Sequence, residues 1–265
     1  MSITPATKLT AVFGYPVGQS LSPLLHNEIY AREGVDAVML AFENPDIEKL
    51  VAAVRALPIH LTAVTIPHKE KIMPLLDEID TVAREIGSVN TVINENGKLK
   101  GFNTDVIGVA VALSGLPLNG KNVLLLGAGG AARAIAYHLK KEGASIFCFD
   151  RTFAKAEALC RAFEGEVLKE VNESGAAFDV IINATPVGML PNVDDSPIAK
   201  EIIRPDAIVF DLIYKPRETR LLREAKERGA KTISGIVMFL AQALQQERLW
   251  LKREISDAEY VNLLG

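Results

Sequence analysis

The chain has 265 residues, 49% of them hydrophobic, with 29 Lys and Arg against 33 Asp and Glu for a formal net charge of −4. That length and apolar content suit one large globular domain or two of ordinary size and exclude a disordered chain. The mild acidity excludes the basic footprint of a nucleic-acid binder, and no apolar run is long enough to span a bilayer, so a small-molecule partner is expected.

The opening Met1-Ser2-Ile3-Thr4-Pro5 lacks the basic stretch and apolar core of a secretory signal. Cys148 and Cys160 have no motif spacing and are expected as reduced thiols of a cytoplasmic protein. No grouping of Cys, His and carboxylates has ligand spacing, so no metal is expected.

In chain order, an apolar strand is expected at 9–13, turning at Gly14-Tyr15-Pro16 into the polar loop that holds Ser20 and Ser22. A helix then runs from about Pro23 to Gly34, with Ser22 as a possible cap. Ser20 and Ser22, two residues apart beside a strand end, are placed to bind substrate hydroxyls or a carboxylate. His26, among Leu24, Leu25 and Ile29, reads as a packed side chain. A strand at 37–42, a helix at 46–57 and a strand at 60–66 follow, so the first hundred residues form an α/β unit of their own. Lys69 then falls at an expected helix start, where the dipole disfavours a cation, and this marks it for function; Lys71 reads as surface.

Glu95-Asn96-Gly97 between two alternating runs signals a hairpin, and Asn90, Asn103, Thr104 and Asp105 gather near its strand ends. Asp105 either caps the helix expected at 106–113 or handles a proton or hydroxyl. Leu116 to Lys121 marks a boundary. The apolar run at 123–126 ends in Gly127-Ala128-Gly129-Gly130-Ala131-Ala132, a variant of the G-x-G-x-x-G fingerprint with alanine last. Gly127 permits the turn, Gly129 admits a pyrophosphate to bare backbone, and the small residues let the helix lie close to the sheet. A second strand at 144–149 ends at Asp150, about 20 residues beyond the glycines, where a ribose is read.

Further strands are expected at 178–182 and 207–214, a helix at 219–228 and a long helix from Gly235. The loop Asn183 to Met189 leaves a strand at its carboxyl end, the usual ligand position in open α/β sheets. Gln242 interrupts an apolar stripe, a surface residue by default. A last helix is expected to reach Leu264.

Taken together, Phe13-Gly14-Tyr15-Pro16, Ser20-Leu21-Ser22-Pro23, Val64 to Lys69, Val89-Asn90-Thr91, Asn103-Thr104-Asp105, Gly127 to Arg133, Asn183 to Met189, Asp211 with Tyr214, and Gly235 with Met238 and Gln242 resemble the shikimate dehydrogenase family. The resemblance is collinear over nearly the whole chain. It implies two α/β domains separated by a cleft: a substrate-binding domain of residues 1–104 and 236–265, and a Rossmann-type dinucleotide-binding domain of residues 105–235. It implies hydride transfer between 3-dehydroshikimate and shikimate, in the route to aromatic amino acids, by a monomer or homodimer. Lys69 and Asp105 then match the catalytic pair. Ser20, Ser22, Thr65, Asn90, Tyr214 and Gln242 match substrate contacts. Gly127, Ala128, Gly129, Gly130, Ala131, Asp150, Arg151, Thr152, Lys155, Thr185, Met189, Ile213 and Gly235 match the cofactor site.

Two departures stand out. Ala63 replaces the family's usual asparagine, and Asp150-Arg151-Thr152 replaces the Asn-Arg-Thr of NADP-using members. Arg151 and Lys155 suit a 2′-phosphate, whereas Asp150 suits the free ribose of NAD; the balance favours NADP. The rival readings are an NAD-dependent quinate/shikimate dehydrogenase and a catalytically silent dinucleotide sensor.

Overall fold

The computed structural model describes residues 3–171 and 177–260. In chain order its elements are β1 (Lys8–Gly14), α1 (Ser22–Glu33), β2 (Ala37–Glu43), α2 (Ile47–Ala56), β3 (Leu61–Val64), β4 (Glu78–Ile79), α3 (Thr81–Ile86), β5 (Thr91–Glu95), β6 (Lys98–Phe102) and α4 (Asp105–Ala112). They continue with β7 (Asn122–Leu126), α5 (Gly130–Lys141), β8 (Ser145–Phe149), α6 (Phe153–Phe163), β9 (Glu166–Val167), β10 (Val180–Asn183), β11 (Ile208–Asp211), α7 (Arg220–Glu227), β12 (Lys231–Ser234) and α8 (Gly235–Leu251). The chain divides into two compact units, one running to Thr104 and completed by the segment from Gln242 onward, the other Asp105–Ala241. The second boundary therefore falls inside α8 rather than at its start.

The first unit is a mixed sheet in the order β2-β1-β3-β5-β6-β4, with β5 antiparallel to both its neighbours. Alternation along β1 sends Ala11 and Phe13 to a core shared with Val51 and Val54 of α2. Val12 goes to the opposite core, with Tyr30 of α1 and Trp250 of α8. The Asp46 carboxylate caps α2 by accepting the Glu48 and Lys49 N–H groups. The β5–β6 hairpin turns at Asn96 and Gly97, both at positive φ, as the Asn-Gly pair predicts.

The second unit is a wholly parallel sheet, β12-β11-β10-β7-β8-β9. Counted from its own first strand the order is 3-2-1-4-5-6, the doubly wound arrangement, with its switch point between β7 and β10. Strands covered on both faces must be apolar throughout, which is why β7 reads as an unbroken run. Val123 and Leu125 pack with Ile135 and Leu139 of α5, while Leu124 and Leu126 face Leu221 and Leu222 of α7. α8 ends at Leu251 and a short 3₁₀ turn at Asp257–Glu259 follows, so the expected last helix is not continuous with it. Residues 261–264 of that expectation, and Met1 and Ser2 of the opening segment, lie outside the described residues. Among the described residues no helix is long and apolar enough to cross a membrane.

Candidate active site

In the first unit, the carboxyl ends of β1 and β3 approach closely because Gly14 has no side chain: a Cβ there would sit 2.6 Å from Thr65 Cγ2. The Thr65 N–H donates to Phe13 O at 2.8 Å, fixing this predicted substrate residue against β1. Ser20 Oγ accepts the Ser22 N–H at 3.2 Å. Ser22 does not cap α1; it is the first helical residue, Leu21 holds the cap position without a side-chain bond, and Pro23 occupies the first turn. His26 is fully buried and bonded through Nδ1 to Glu247 of α8, which also accepts the Tyr30 hydroxyl at 2.9 Å, so its packed reading holds.

Beyond β3 the chain makes turns, not the helix expected at Lys69, so the dipole argument for that residue fails. Its backbone is held instead by hydrogen bonds. The buried His68 donates through Nε2 to Asn44 O at 2.8 Å, and the Val89 N–H donates to Lys69 O at 2.8 Å. That second bond ties position 69 to the entry of β5, one residue before Asn90.

Asn90 is 2% exposed. Its Oδ1 accepts the Thr104 N–H at 2.7 Å and the Thr91 hydroxyl at 2.8 Å, and its Nδ2 donates to Thr104 Oγ1 at 2.9 Å. Gln242 is no surface residue: it is 9% exposed and its Oε1 lies 3.4 Å from Asn90 Nδ2. Asn103 donates to Ser88 O at 2.8 Å and to Ser88 Oγ at 2.9 Å. Asp105, next in the chain to Thr104, is buried in the first turn of α4. Ala63 is a buried mid-strand residue paired with Thr91.

In the second unit, β7 ends at Gly127, whose φ of +101° lies where side chains are strained; a Cβ there would meet the Ala184 backbone at 3.1 Å. Gly129 takes the cap position of α5 with no side-chain bond, and a Cβ at Gly129 would meet nothing within 4 Å. The approach to that backbone is open, so the loop from Gly127 through Ala131 fits a dinucleotide pyrophosphate at a helix amino terminus. The fully buried Ala132 lets α5 lie close to the sheet.

Asp150 does something the fingerprint does not reveal. Its Oδ2 accepts the Ala128 N–H at 2.9 Å and its Oδ1 the Thr152 N–H at 2.7 Å. Both oxygens thus tie the glycine loop to the turn after β8. Arg151 and Lys155 are exposed, and Thr152 caps α6 without a side-chain bond, a cationic helix start that fits a phosphate.

The loops after β10 and β11 are joined by the fully buried Asp211. It accepts Asn183 Nδ2 at 3.0 Å, the Ile213 N–H at 3.1 Å and the Thr219 hydroxyl at 2.6 Å. Asn183 Oδ1 in turn accepts the Thr185 N–H and hydroxyl at 3.0 and 2.6 Å, and Thr219 caps α7. Thr185 and Ile213 are therefore set by one carboxylate, while Met189 is exposed. Tyr214 stacks on Phe239 with ring centroids 4.6 Å apart. Gly235 has a packing duty: a Cβ there would lie 2.1 Å from Leu212 O.

Burial raises the Asp211 pKa from 3.8 to about 6, against the three donors that favour the carboxylate. The folded state therefore holds the proton more tightly than the unfolded chain does. The associated stability is fully present below pH 3.8 and is lost as the pH rises through about 6. The stability of the wild-type chain minus that of Asp211→Asn is expected to fall by up to about 3 kcal/mol between about pH 4 and about pH 7 in urea titrations. A gap that does not change with pH would contradict the assignment.

Sequence reasoning did not single out Thr91, Gln246, Glu247 or the linking role of Asp211. The available signals were polar residues at core positions of α8 and a carboxylate closing an apolar strand. A cavity of about 680 Å³ in the first unit, lined by Arg55, His60, Asn94 and Lys252 among others, contains none of the predicted site residues.

The 3-2-1-4-5-6 sheet, the open glycine turn and the cationic start of α6 define the second unit as a dinucleotide-binding Rossmann domain, joined in one chain to a separate α/β unit rich in buried polar side chains. Residues 12–92 match the family model of the shikimate dehydrogenase substrate binding domain, and residues 110–219 that of shikimate / quinate 5-dehydrogenase. The shikimate dehydrogenase (NADP(+)) of Aquifex aeolicus (strain VF5) is 44% identical over 252 residues, covering 94% of this chain and 93% of that protein. A crystal structure of shikimate dehydrogenase from Aquifex aeolicus superimposes with a TM-score of 0.90 at 42% identity, covering 97% of each chain. The Thermus thermophilus shikimate 5-dehydrogenase, solved in complex with NADP(H) and shikimate, gives 0.86 at 35% identity, over 95% of this chain and 96% of that one. The chain belongs to the shikimate dehydrogenase family.

Proposed function

We propose that this chain reversibly reduces 3-dehydroshikimate to shikimate with NADPH, in the biosynthesis of aromatic amino acids. The observation that supports this most directly lies in the first unit. The Val89-to-Lys69 and Thr104-to-Asn90 hydrogen bonds hold positions 69, 90 and 104 together beside the start of β5 and the end of β6, with Asp105 next in the chain. Reduction of a ketone needs a proton at the oxygen while a hydride reaches the carbon. The dinucleotide, when bound, would supply the hydride. Lys69 supplies the proton to the developing alkoxide and its ammonium stabilises that charge; in the reverse direction it removes the hydroxyl proton. Asp105 orients the same hydroxyl. Ser20, Ser22, Thr65, Asn90, Tyr214 and Gln242 bind the substrate carboxylate and remaining hydroxyls.

Gly127, Ala128, Gly129, Gly130 and Ala131 hold the pyrophosphate, and Thr185, Met189, Ile213 and Gly235 line the rest of the cofactor. Arg151, Thr152 and Lys155 take the 2′-phosphate. Both Asp150 oxygens accept backbone N–H groups, so that side chain is a strut of the loop, and each oxygen keeps a further lone pair for a ribose hydroxyl. Arg151→Ala is expected to raise the KM for NADP about 10-fold to 100-fold, the effect of a lost charge-assisted phosphate contact, with little change for NAD. Equal losses for both cofactors would remove Arg151 from the phosphate site. The protein works as a monomer or homodimer in the cytoplasm, and its buried free Cys148 and Cys160 are compatible with a reducing compartment. The test of the reaction is the near-ultraviolet absorbance of NADPH on addition of 3-dehydroshikimate. No change at micromolar enzyme refutes the proposal.

A further inference from the structure

Two loops of the first unit that carry predicted site residues are tied to one corner of the fold, the end of β2 and the residue that follows it. Glu43 closes β2 level with Gly14 of β1. Its Oε2 accepts the Val17 N–H at 2.9 Å. Val17 is 5% exposed, a setting in which a backbone N–H needs a protein acceptor. Val17 O then accepts the Ser20 N–H at 2.9 Å, and Ser20 Oγ accepts the Ser22 N–H at 3.2 Å. Three successive bonds thus carry the position of the Glu43 carboxylate to the two serines assigned to the substrate.

Asn44, the next residue, anchors the other loop. His68 is fully buried, and its Nε2 lies 2.8 Å from Asn44 O. A backbone carbonyl can only accept, so Nε2 carries the hydrogen. Nδ1 has no partner among the described residues, which leaves the Asn44 bond as the single polar tie of the ring. That carbonyl belongs to a residue held in place, since Asn44 Oδ1 accepts the Asp46 N–H at 2.8 Å where α2 begins. The His68 main chain donates to Thr65 O and accepts the Ile72 N–H, both at 2.9 Å, so the ring fixes the turn on which Lys69 stands. The two loops also meet each other, the Tyr15 N–H donating to Ile66 O at 2.9 Å.

We propose that Glu43 and His68 are positioning residues, Glu43 for the serine loop that receives the substrate and His68 for the turn that carries the proton donor Lys69. This rests on the functional reading above, and each residue acts through its neighbours in the chain. The two effects separate: a loosened serine loop weakens substrate binding, whereas a displaced amine slows proton transfer. Glu43 lies at the surface, so shortening it frees the loop without opening a core.

The test uses the full chain and four variants. Glu43→Ala removes the acceptor, and Glu43→Gln keeps an oxygen for the Val17 N–H. His68→Phe keeps a ring and removes the donor, and His68→Gln keeps a nitrogen donor at a similar reach. Glu43→Ala is expected to raise the shikimate KM about 10-fold, the low end for a hydrogen bond to a charged group, with kcat within about 2-fold of wild type. His68→Phe is expected to lower kcat about 10-fold to 100-fold, the effect of a misplaced catalytic group, with the shikimate KM within about 2-fold. Glu43→Gln and His68→Gln should each recover to within about 3-fold of wild type, and the NADP KM should stay within about 2-fold in all four. If His68→Phe does not fold, His68→Asn, too short to reach Asn44, takes its place with the same expected loss. With an active wild-type chain, an unchanged shikimate KM in Glu43→Ala or an unchanged kcat in the folded His68 variant overturns the proposal for that residue. Conservative variants as impaired as the removals overturn it too, because they would mark packing or charge in place of the hydrogen bond. A wild-type chain that does not turn over shikimate overturns the functional reading, and this proposal with it.

Discussion

Lys69→Ala and Asp105→Ala are each expected to lower kcat by about 10²-fold to 10⁴-fold, the range of a lost general acid–base group, while the chain keeps its fold. Lys69 is only half-buried and its backbone is anchored by Val89, so shortening its side chain removes an amine without opening a core. Asp105 is buried at the start of α4, so Asp105→Asn, which keeps its shape, is the second variant to measure. If, as proposed, the two residues serve one proton transfer, the double variant should be about as slow as the worse single one rather than showing the product of both losses. Circular dichroism and thermal melting confirm the fold, and the KM for NADP should stay near that of wild type. Near-normal kcat in both single variants would remove the pair from the mechanism.

The second large effect falls on stability. Gly235→Ala would place a Cβ 2.1 Å from Leu212 O, 2.3 Å from Leu212 C and 2.9 Å from Asp211 O. All three are backbone atoms and cannot swing aside. Leu212 is tied by its N–H to Asn183 O at 3.0 Å, and Asp211 is gripped by three donors. Relief requires β11 and the start of α8 to separate, at a cost above about 4 kcal/mol, in the exceptional range for one substitution. Such a loss corresponds to a fall of about 10 °C in the melting transition of the second unit, or to insoluble protein. A soluble Gly235→Ala chain melting within about 2 °C of wild type would show that the backbone yields there.

Much of the fold was legible because its signals are local. The apolar run of β7, the glycines after it and the Asn96-Gly97 turn each state their conformation within a few residues. The two-residue strands β4 and β9 are too short to show alternation, and the expected strand at 207–214 is cut to four residues because Asp211 turns the chain on itself. Ser22 and Lys69 were read from rules about helix ends, and neither stands where those rules apply. The harder part was the network. Asn183 and Asp211 are 28 positions apart, and Gln246 and Thr91 are 155 apart. No local pattern pairs them; only the strand order and the path of α8 do. Asp150 shows the reverse case, a residue located correctly whose carboxylate was already engaged by its own loops.

The division of α8 bears on the order in which a ribosome delivers the parts. Asp105–Ala241 is an uninterrupted stretch, so all six strands of its sheet are synthesised before Gln242 is added. The earlier half has to wait: His26 and Tyr30 lack Glu247, and Thr91 lacks Gln246, until the final segment emerges. During that interval the nascent amino-terminal half also exposes the apolar core face of Val12, Tyr30, Met39 and Leu61 that Leu249 and Trp250 come to cover, which makes it the half that a chaperone would hold.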